Sequence, residues 1–98
     1  MTTASTTALP FVSVIMPHYQ DLRGLEIGLR ALEAQTYPKD RFEIVIADNN
    51  SPVGIDAVRA VVGDRAKLVL VTDKGAGPAR NGAVAASKGE VLAFIDSD

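Results

Sequence analysis

Four short apolar runs, separated by amphipathic stretches, constrain this sequence more than any other feature. The runs occupy residues 11–16, 42–47, 68–72 and 91–95, and each is almost continuously apolar and rich in β-branched residues. Strands of that composition are typical of parallel sheets, whose two faces are both covered by helices. Because each intervening stretch is long enough for a crossover helix, the pattern predicts the order β-α-β-α-β-α-β.

The first two intervening stretches carry apolar residues at helical spacing. The first has four leucines on one helical face, at Leu22, Leu25, Leu29 and Leu32. Asp21 is predicted to be its N-cap and residues 36–38 to end it. The second is shorter, with its apolar face at Ile55, Val58 and Val62. It is predicted to close near Gly63.

The third stretch is rich in small residues, which would let a helix lie close to a sheet. Pro78 suits a first helical turn, and Gly89 is predicted to stop the helix. The small side chains that share a face are Ala79, Ala83 and Ala86.

Right-handed crossovers then give an α/β fold, a parallel sheet of strand order 3-2-1-4 with helices on both faces. In such open sheets, ligands bind beyond the carboxyl ends of the strands, and here the switch point lies between the first and fourth strands. The fourth strand is predicted to lack a partner on its far side, so its apolar edge would favour self-association.

Length and composition limit the alternatives. The 98 residues suffice for one domain over residues 10–98, preceded by a flexible Thr-, Ser- and Ala-rich tail over residues 1–9. A net charge of −2 argues against nucleic acid as a partner. The absence of cysteine excludes disulfides and thiolate zinc sites. Without a secretory signal or a span of roughly 20 apolar residues, we expect a cytoplasmic location, with attachment to the inner face of a membrane left to segments beyond this sequence.

Polar residues follow all four predicted strands, at residues 17–21, 48–51, 73–77 and 96–98. In the last group, Asp96 and Asp98 are two residues apart, so in extended backbone both carboxylates point to one side. Carboxylates without nearby His or Cys suit a hard divalent cation such as Mg²⁺ or Mn²⁺. The alternative is a pair of solvated turn residues.

Two residues at the other strand ends suit a nucleotide base. An ionised Asp48 only accepts hydrogen bonds, so it would select a ring N–H, as in uracil, thymine or guanine, and reject cytosine. Its alternative role is a turn or cap. Tyr19 is suited to stacking on a base, or to ordinary packing over the sheet edge. The only histidine, His18, is interpreted as a surface residue.

A basic, glycine-containing segment lies just before and within the first turn of the third helix, with Lys74, Gly75, Gly77 and Arg80. Its backbone N–H groups and cationic side chains suit a diphosphate. The spacing matches neither the P-loop nor the G-x-G-x-x-G pattern, since Arg80 stands at the third glycine position. A role in capping the helix is supported equally well.

Four segments in order resemble the family 2 glycosyltransferases, which have the GT-A fold. They are residues 12–21 (VSVIMPHYQD), 43–48 (EIVIAD), 79–82 (ARNG) and 88–98 (KGEVLAFIDSD). The resemblance implies transfer of a sugar, with inversion, from a nucleoside diphosphate sugar, UDP-linked by our interpretation, to a saccharide, lipid or protein acceptor. It implies that Asp96 contacts the ribose side and Asp98 the metal. It assigns nucleotide contacts to Pro17, Tyr19, Asp21, Asp48 and Arg80.

The sequence departs from the family pattern at several positions. His18 and Gln20 stand where Thr or Ser and Asn are commoner, and Asn49 and Asn50 replace a usual Asp-Gly pair. The family's general base lies beyond the D-x-D motif, so no catalytic base is assigned here. A dinucleotide-binding oxidoreductase lacks support because no glycine-rich turn follows the first strand. A non-catalytic nucleotide-binding or signalling module is the remaining alternative.

Overall fold

A computed structural model describes residues 9–95 of the chain. The strands are β1 (Val12–His18), β2 (Phe42–Asp48), β3 (Lys67–Leu70) and β4 (Val91–Phe94). The helices are α1 (Leu22–Glu33), α2 (Ile55–Val62) and α3 (Ala76–Ala86), and a one-turn 3-10 helix (Lys39–Arg41) precedes β2. Most of the predicted tail and the predicted carboxylate pair, Asp96 and Asp98, lie outside the described residues.

The four strands form one parallel sheet in the order β3-β2-β1-β4, which confirms the predicted topology. β1 and β2 pair along their full length, from Val12 opposite Phe42 to His18 opposite Asp48. Side chains of register partners in adjacent strands point to the same face. The register therefore brings His18 and Asp48 side by side at the carboxyl edge.

The side chains of the central strands point alternately to the two faces of the sheet. Both faces are apolar and are covered by helices, as predicted. One face packs against α1 and α2, and its buried members are Val14, Met16, Leu25, Leu29, Leu32, Ile44, Ile46, Val58 and Val62. The other packs against α3, and its members are Ile15, Val45, Ala47, Ala79 and Ala83. The small α3 side chains leave little space between helix and sheet.

The start of α1 and the end of α2 agree with the prediction. Asp21 caps α1 by accepting from the Gly24 N–H at 3.0 Å. α2 ends at Val62, followed by Gly63 with φ of 58°. Pro17, in contrast, does not bound β1 but lies inside it. The backbone groups of the odd-numbered residues of β1 point towards β4, so Pro17 removes no hydrogen bond to β2.

The prediction that Gly89 stops the third helix is wrong. α3 ends at Ala86, and Ser87 is already extended. Gly89 instead passes close to β1: its N–H donates to the Ser13 hydroxyl at 2.7 Å. A Cβ at position 89 would lie 2.5 Å from the Ser13 backbone nitrogen, so the close approach requires glycine.

β4 is the outer strand of the sheet within residues 9–95. Val91, Leu92 and Phe94 are exposed there. Self-association through this edge stays a prediction. In the same part of the chain, none of the helices has the length and hydrophobicity to cross a bilayer.

Candidate functional site

A polar cleft lies beyond the carboxyl ends of β1, β2 and β3. It has a volume of about 270 Å³ and is lined by Tyr19, Asn49, Asn50, Thr72 and Lys74. Two larger hollows, of about 380 and 350 Å³, lie elsewhere on the molecule. One is lined mainly by apolar side chains and the other is bordered by the surface ion pairs of α1, and neither collects polar side chains from the carboxyl ends of the strands. The cleft is therefore the better candidate site.

A buried pair of side chains, His18 and Asp48, underlies this cleft. His18 Nδ1 lies 2.8 Å from Asp48 Oδ1, and both side chains are fully buried. The backbone N–H of Asp21 donates to His18 Nε2 at 3.0 Å. Because a backbone N–H can only donate, Nε2 must be the unprotonated nitrogen and Nδ1 carries the hydrogen that Asp48 accepts. The contacts thus select one neutral tautomer of the imidazole.

The prediction that His18 is a surface residue is wrong, since only 2% of the residue is exposed. The error came from ending the strand at Pro17, which placed the histidine in a loop. The sequence carried one usable signal. Two adjacent parallel strands of equal length, each ending in a polar residue, indicate that His18 and Asp48 are neighbours.

Asp48 also holds the start of its own loop. Its Oδ1 accepts from the Ser51 hydroxyl at 2.6 Å, and its Oδ2 accepts from the Ser51 backbone N–H at 3.0 Å. Together with His18, these donors occupy both carboxylate oxygens away from solvent. The carboxylate therefore faces the interior of the two loops, in the turn role that was the alternative for this residue.

Ser51 connects the loop after β2 to the loop after β1. Its hydroxyl oxygen accepts from the Gln20 backbone N–H at 2.8 Å. In return, the Gln20 side-chain carbonyl accepts from the Val53 N–H at 3.0 Å. Gln20 and Asn50 have φ values of 50° and 59°, a left-handed conformation that is uncommon for residues with a side chain. The reciprocal hydrogen bonds hold both loops in that shape.

Asn49 performs the same task towards the loop after β3, and its role was missed by the sequence reasoning. Its amide NH₂ donates to the carbonyls of Val71 at 3.0 Å and Asp73 at 2.6 Å. Its carbonyl oxygen accepts from the Gly75 N–H at 2.9 Å. These three bonds fix the residues that carry Thr72 and Lys74 into the cleft. An amide is required because one group must both donate and accept.

The predicted nucleotide contacts lie at different depths. Tyr19 is 58% exposed and lines the cleft. Asp21 is the helix cap, Pro17 is half-buried inside β1, and Asp48 is buried beneath the loops. Arg80 is exposed on α3 and is not among the residues that line the cleft. The cleft itself spans β1 to β3, on the opposite side of β1 from the predicted switch point with β4.

A metal site is not formed by the described residues alone. Within residues 9–95, no three His, Asp or Glu side chains are grouped so that they could hold a metal ion. The predicted ligands Asp96 and Asp98 lie beyond this range. The β1–β4 hydrogen bonding continues to Ile95, whose N–H donates to the Ile15 carbonyl at 2.9 Å. The chain therefore reaches the carboxyl edge immediately before these two residues.

Comparison with known proteins identifies the family to which the chain is related. The sequence profile described as "Glycosyl transferase family 2" matches residues 13–98. Glycosyltransferase AglE of Haloferax volcanii is 35% identical over 97 residues, which cover 95% of this chain and 32% of that protein.

Solved structures agree in fold. Mannosyltransferase PcManGT from Pyrobaculum calidifontis, in complex with GDP-Man and Mn²⁺, has a TM-score of 0.78 and 32% identity, over 94% of this chain and 28% of that one. Residues 1–349 of TarS from S. aureus, in complex with UDP, have a TM-score of 0.76 and 31% identity, over 89% of this chain and 27% of that one. The chain thus spans about a third or less of the length of these relatives. None of these matches supports the alternative of a signalling module.

Proposed function

The chain belongs to glycosyl transferase family 2, and from that membership we propose that it forms the donor-binding part of a metal-dependent enzyme that transfers a sugar from a nucleoside diphosphate sugar to an acceptor. The single observation that carries this proposal is the polar cleft at the carboxyl ends of β1, β2 and β3. Three loops of different strands are joined there by side-chain hydrogen bonds, beside an exposed aromatic ring.

The dimensions of the sheet suit a nucleotide that lies along this edge. The outer strands β3 and β4 are three strand spacings apart, about 14 Å. We place the base and ribose in the cleft, with the base against Tyr19, and the diphosphate towards the end of β4. Lys74 lines the cleft, and its positive charge favours binding of an anionic nucleotide there.

For the base, we propose uracil. The volume of the cleft lies just below the usual range for ligand pockets, which favours a single ring over a purine. The exposed side-chain amide of Asn50 offers an oxygen to the ring N–H and an NH₂ to a ring carbonyl. Asp48 acts on the base indirectly, by holding the loop that carries Asn50. The UDP complex of TarS and the GDP-Man complex of PcManGT support the nucleotide class.

The physical task of such a site is to stabilise the diphosphate that leaves as the sugar–phosphate bond breaks. Asp96 and Asp98 would hold a divalent cation, Mg²⁺ or Mn²⁺, and a bound cation offsets the charge on that leaving group. The Mn²⁺ in the PcManGT complex supports this assignment. The described residues bind and orient the nucleoside, so that the anomeric carbon is held towards the acceptor.

Calorimetry tests the proposal in the purified protein. We expect UDP to bind more tightly than GDP, and Mn²⁺ to strengthen UDP binding. The substitution Asp98→Ala should abolish the gain in affinity that Mn²⁺ provides, whereas Asp73→Ala, which removes an exposed carboxylate from the loop after β3, should leave it intact. Equal UDP affinity in the Asp98→Ala protein, with Mn²⁺ present, would contradict the metal assignment.

A further inference from the structure

We propose that His18 is a positioning residue for the nucleotide, which holds the base-stacking loop in place only while its Nε2 is unprotonated. This inference rests on the proposed function, because it concerns how the loop of residues 19–21 is presented to a bound nucleoside. It goes beyond that function by making nucleotide affinity depend on the tautomer and protonation of one buried imidazole that does not line the cleft.

The loop has two backbone anchors, and His18 supplies one of them. The Gln20 N–H is held by the Ser51 hydroxyl at 2.8 Å, and the Asp21 N–H is held by His18 Nε2 at 3.0 Å. Tyr19 is the residue between the strand and these anchors, and its ring is exposed towards the cleft. Its position therefore depends on both hydrogen bonds.

The two faces of the imidazole have different partners. Nδ1 donates to Asp48 Oδ1 of β2 at 2.8 Å, whereas Nε2 accepts from the backbone at the start of α1. Among residues 9–95, the ionisable residues that hydrogen-bond to the ring are Asp48, through its carboxylate, and Asp21, through its backbone N–H, and the Asp21 carboxylate accepts from the Gly24 N–H. A proton on Nε2 would keep the bond from Nδ1 to Asp48 and add charge to it, but would set two donors against each other at Nε2. The Asp21 N–H would then lose its acceptor, and the loop would be released.

Replacing His18 by Asn or by Gln tests the two hydrogen bonds separately, because the side-chain amide of each residue takes the position of one ring nitrogen. Asn places its NH₂ near the position of Nδ1, so His18→Asn keeps a donor for Asp48 but loses the acceptor for Asp21. Gln reaches the position of Nε2, so His18→Gln keeps an acceptor for Asp21. We expect UDP affinity with Mn²⁺ to fall about tenfold in His18→Asn and to stay within about threefold of wild type in His18→Gln. Equal losses in the two variants would overturn the inference.

Nitrogen NMR reads the tautomer directly, because the sequence contains a single histidine. Long-range ¹H–¹⁵N spectra of the ligand-free protein near pH 8 should show an unprotonated Nε2 and a protonated Nδ1. The opposite tautomer would overturn the inference whatever the protein binds. If wild type binds no UDP at pH 8, the proposed function fails first. If it binds UDP but the two variants do not differ in affinity, only the role of His18 fails.

Discussion

Replacing Asp48 by Asn tests whether this carboxylate stabilises the fold or binds the nucleotide base. The change keeps the shape of the side chain but removes its charge and turns one acceptor into a donor. If the amide oxygen stays near His18 and the Ser51 hydroxyl, the NH₂ faces the Ser51 backbone N–H, which the carboxylate accepts at 3.0 Å. One charge-assisted hydrogen bond is lost, and a buried N–H faces another donor. We expect Asp48→Asn to lower the free energy of unfolding by about 3 kcal/mol.

Urea denaturation followed by circular dichroism, with a common slope for all variants, measures this loss. The matched control is Asp73→Asn, the same chemical change in an exposed residue after the next strand, and we expect it to stay within about 0.5 kcal/mol of wild type. A destabilisation below about 1 kcal/mol for Asp48→Asn, accompanied by weaker UDP binding, would refute the buried arrangement and return Asp48 to the role of base reader.

Three further substitutions test other parts of the fold by the same assay. Gly89→Ala forces a Cβ to within 2.5 Å of the Ser13 backbone nitrogen and should destabilise by about 1–3 kcal/mol. Leu29→Ala empties a fully buried position on α1 and should cost about 2–5 kcal/mol. Hydrogen bonds from Arg65, and to a smaller extent from Arg30, lower the pKa of Glu26 to about 2. The contribution of this ion pair to stability is therefore complete above the ordinary pKa of 4.5 and is lost as the pH falls towards 2. Glu26→Gln should therefore remove that part of the acid-induced loss of stability.

Each of these predictions has a matched control on the surface. Gly77→Ala adds a Cβ that meets no atom within 4 Å and should not destabilise, and Ile27→Ala truncates an exposed residue of the same helix as Leu29. Asp40→Asn, which removes a carboxylate that forms no ion pair among residues 9–95, is the control for Glu26→Gln. If Gly89→Ala matches Gly77→Ala, the close approach of residue 89 to β1 is wrong. If Leu29→Ala matches Ile27→Ala, the packing of α1 is wrong, and an unchanged acid limb in Glu26→Gln would contradict the ion pair.

The sequence was sufficient for the topology because the information that sets it is local. Continuous apolar runs, a leucine face and the cap at Asp21 each depend on a few neighbouring residues, and the rule of right-handed crossovers supplied the order of the strands. The helix end at Gly89 was placed wrongly because glycine serves two purposes, a helix stop and a close backbone approach. Only the packing of residue 89 against β1 distinguishes them.

The site was less predictable because its contacts join residues far apart in the chain. His18 and Asp48 are 30 residues apart, and their contact depends on strand register, which a single sequence does not state. Asn49 contacts a loop that lies 22 to 26 positions later. Ser51, three residues after Asp48, was the local signal that the carboxylate turns back on its own loop. Composition correctly located the polar edge but could not show which side chains face the ligand.

The left-handed backbone of Gln20 and Asn50 has a consequence for the kinetics of nucleotide binding. Such a conformation costs on the order of 1 kcal/mol per residue, and the hydrogen bonds between the loops offset it before any ligand arrives. The cleft would then already have its final shape, so diffusional encounter, rather than rearrangement of the loops, would limit the rate of nucleotide binding. Substitutions at the surface of the cleft would mainly change how long the nucleotide stays, whereas substitutions in the supporting hydrogen bonds would slow its entry.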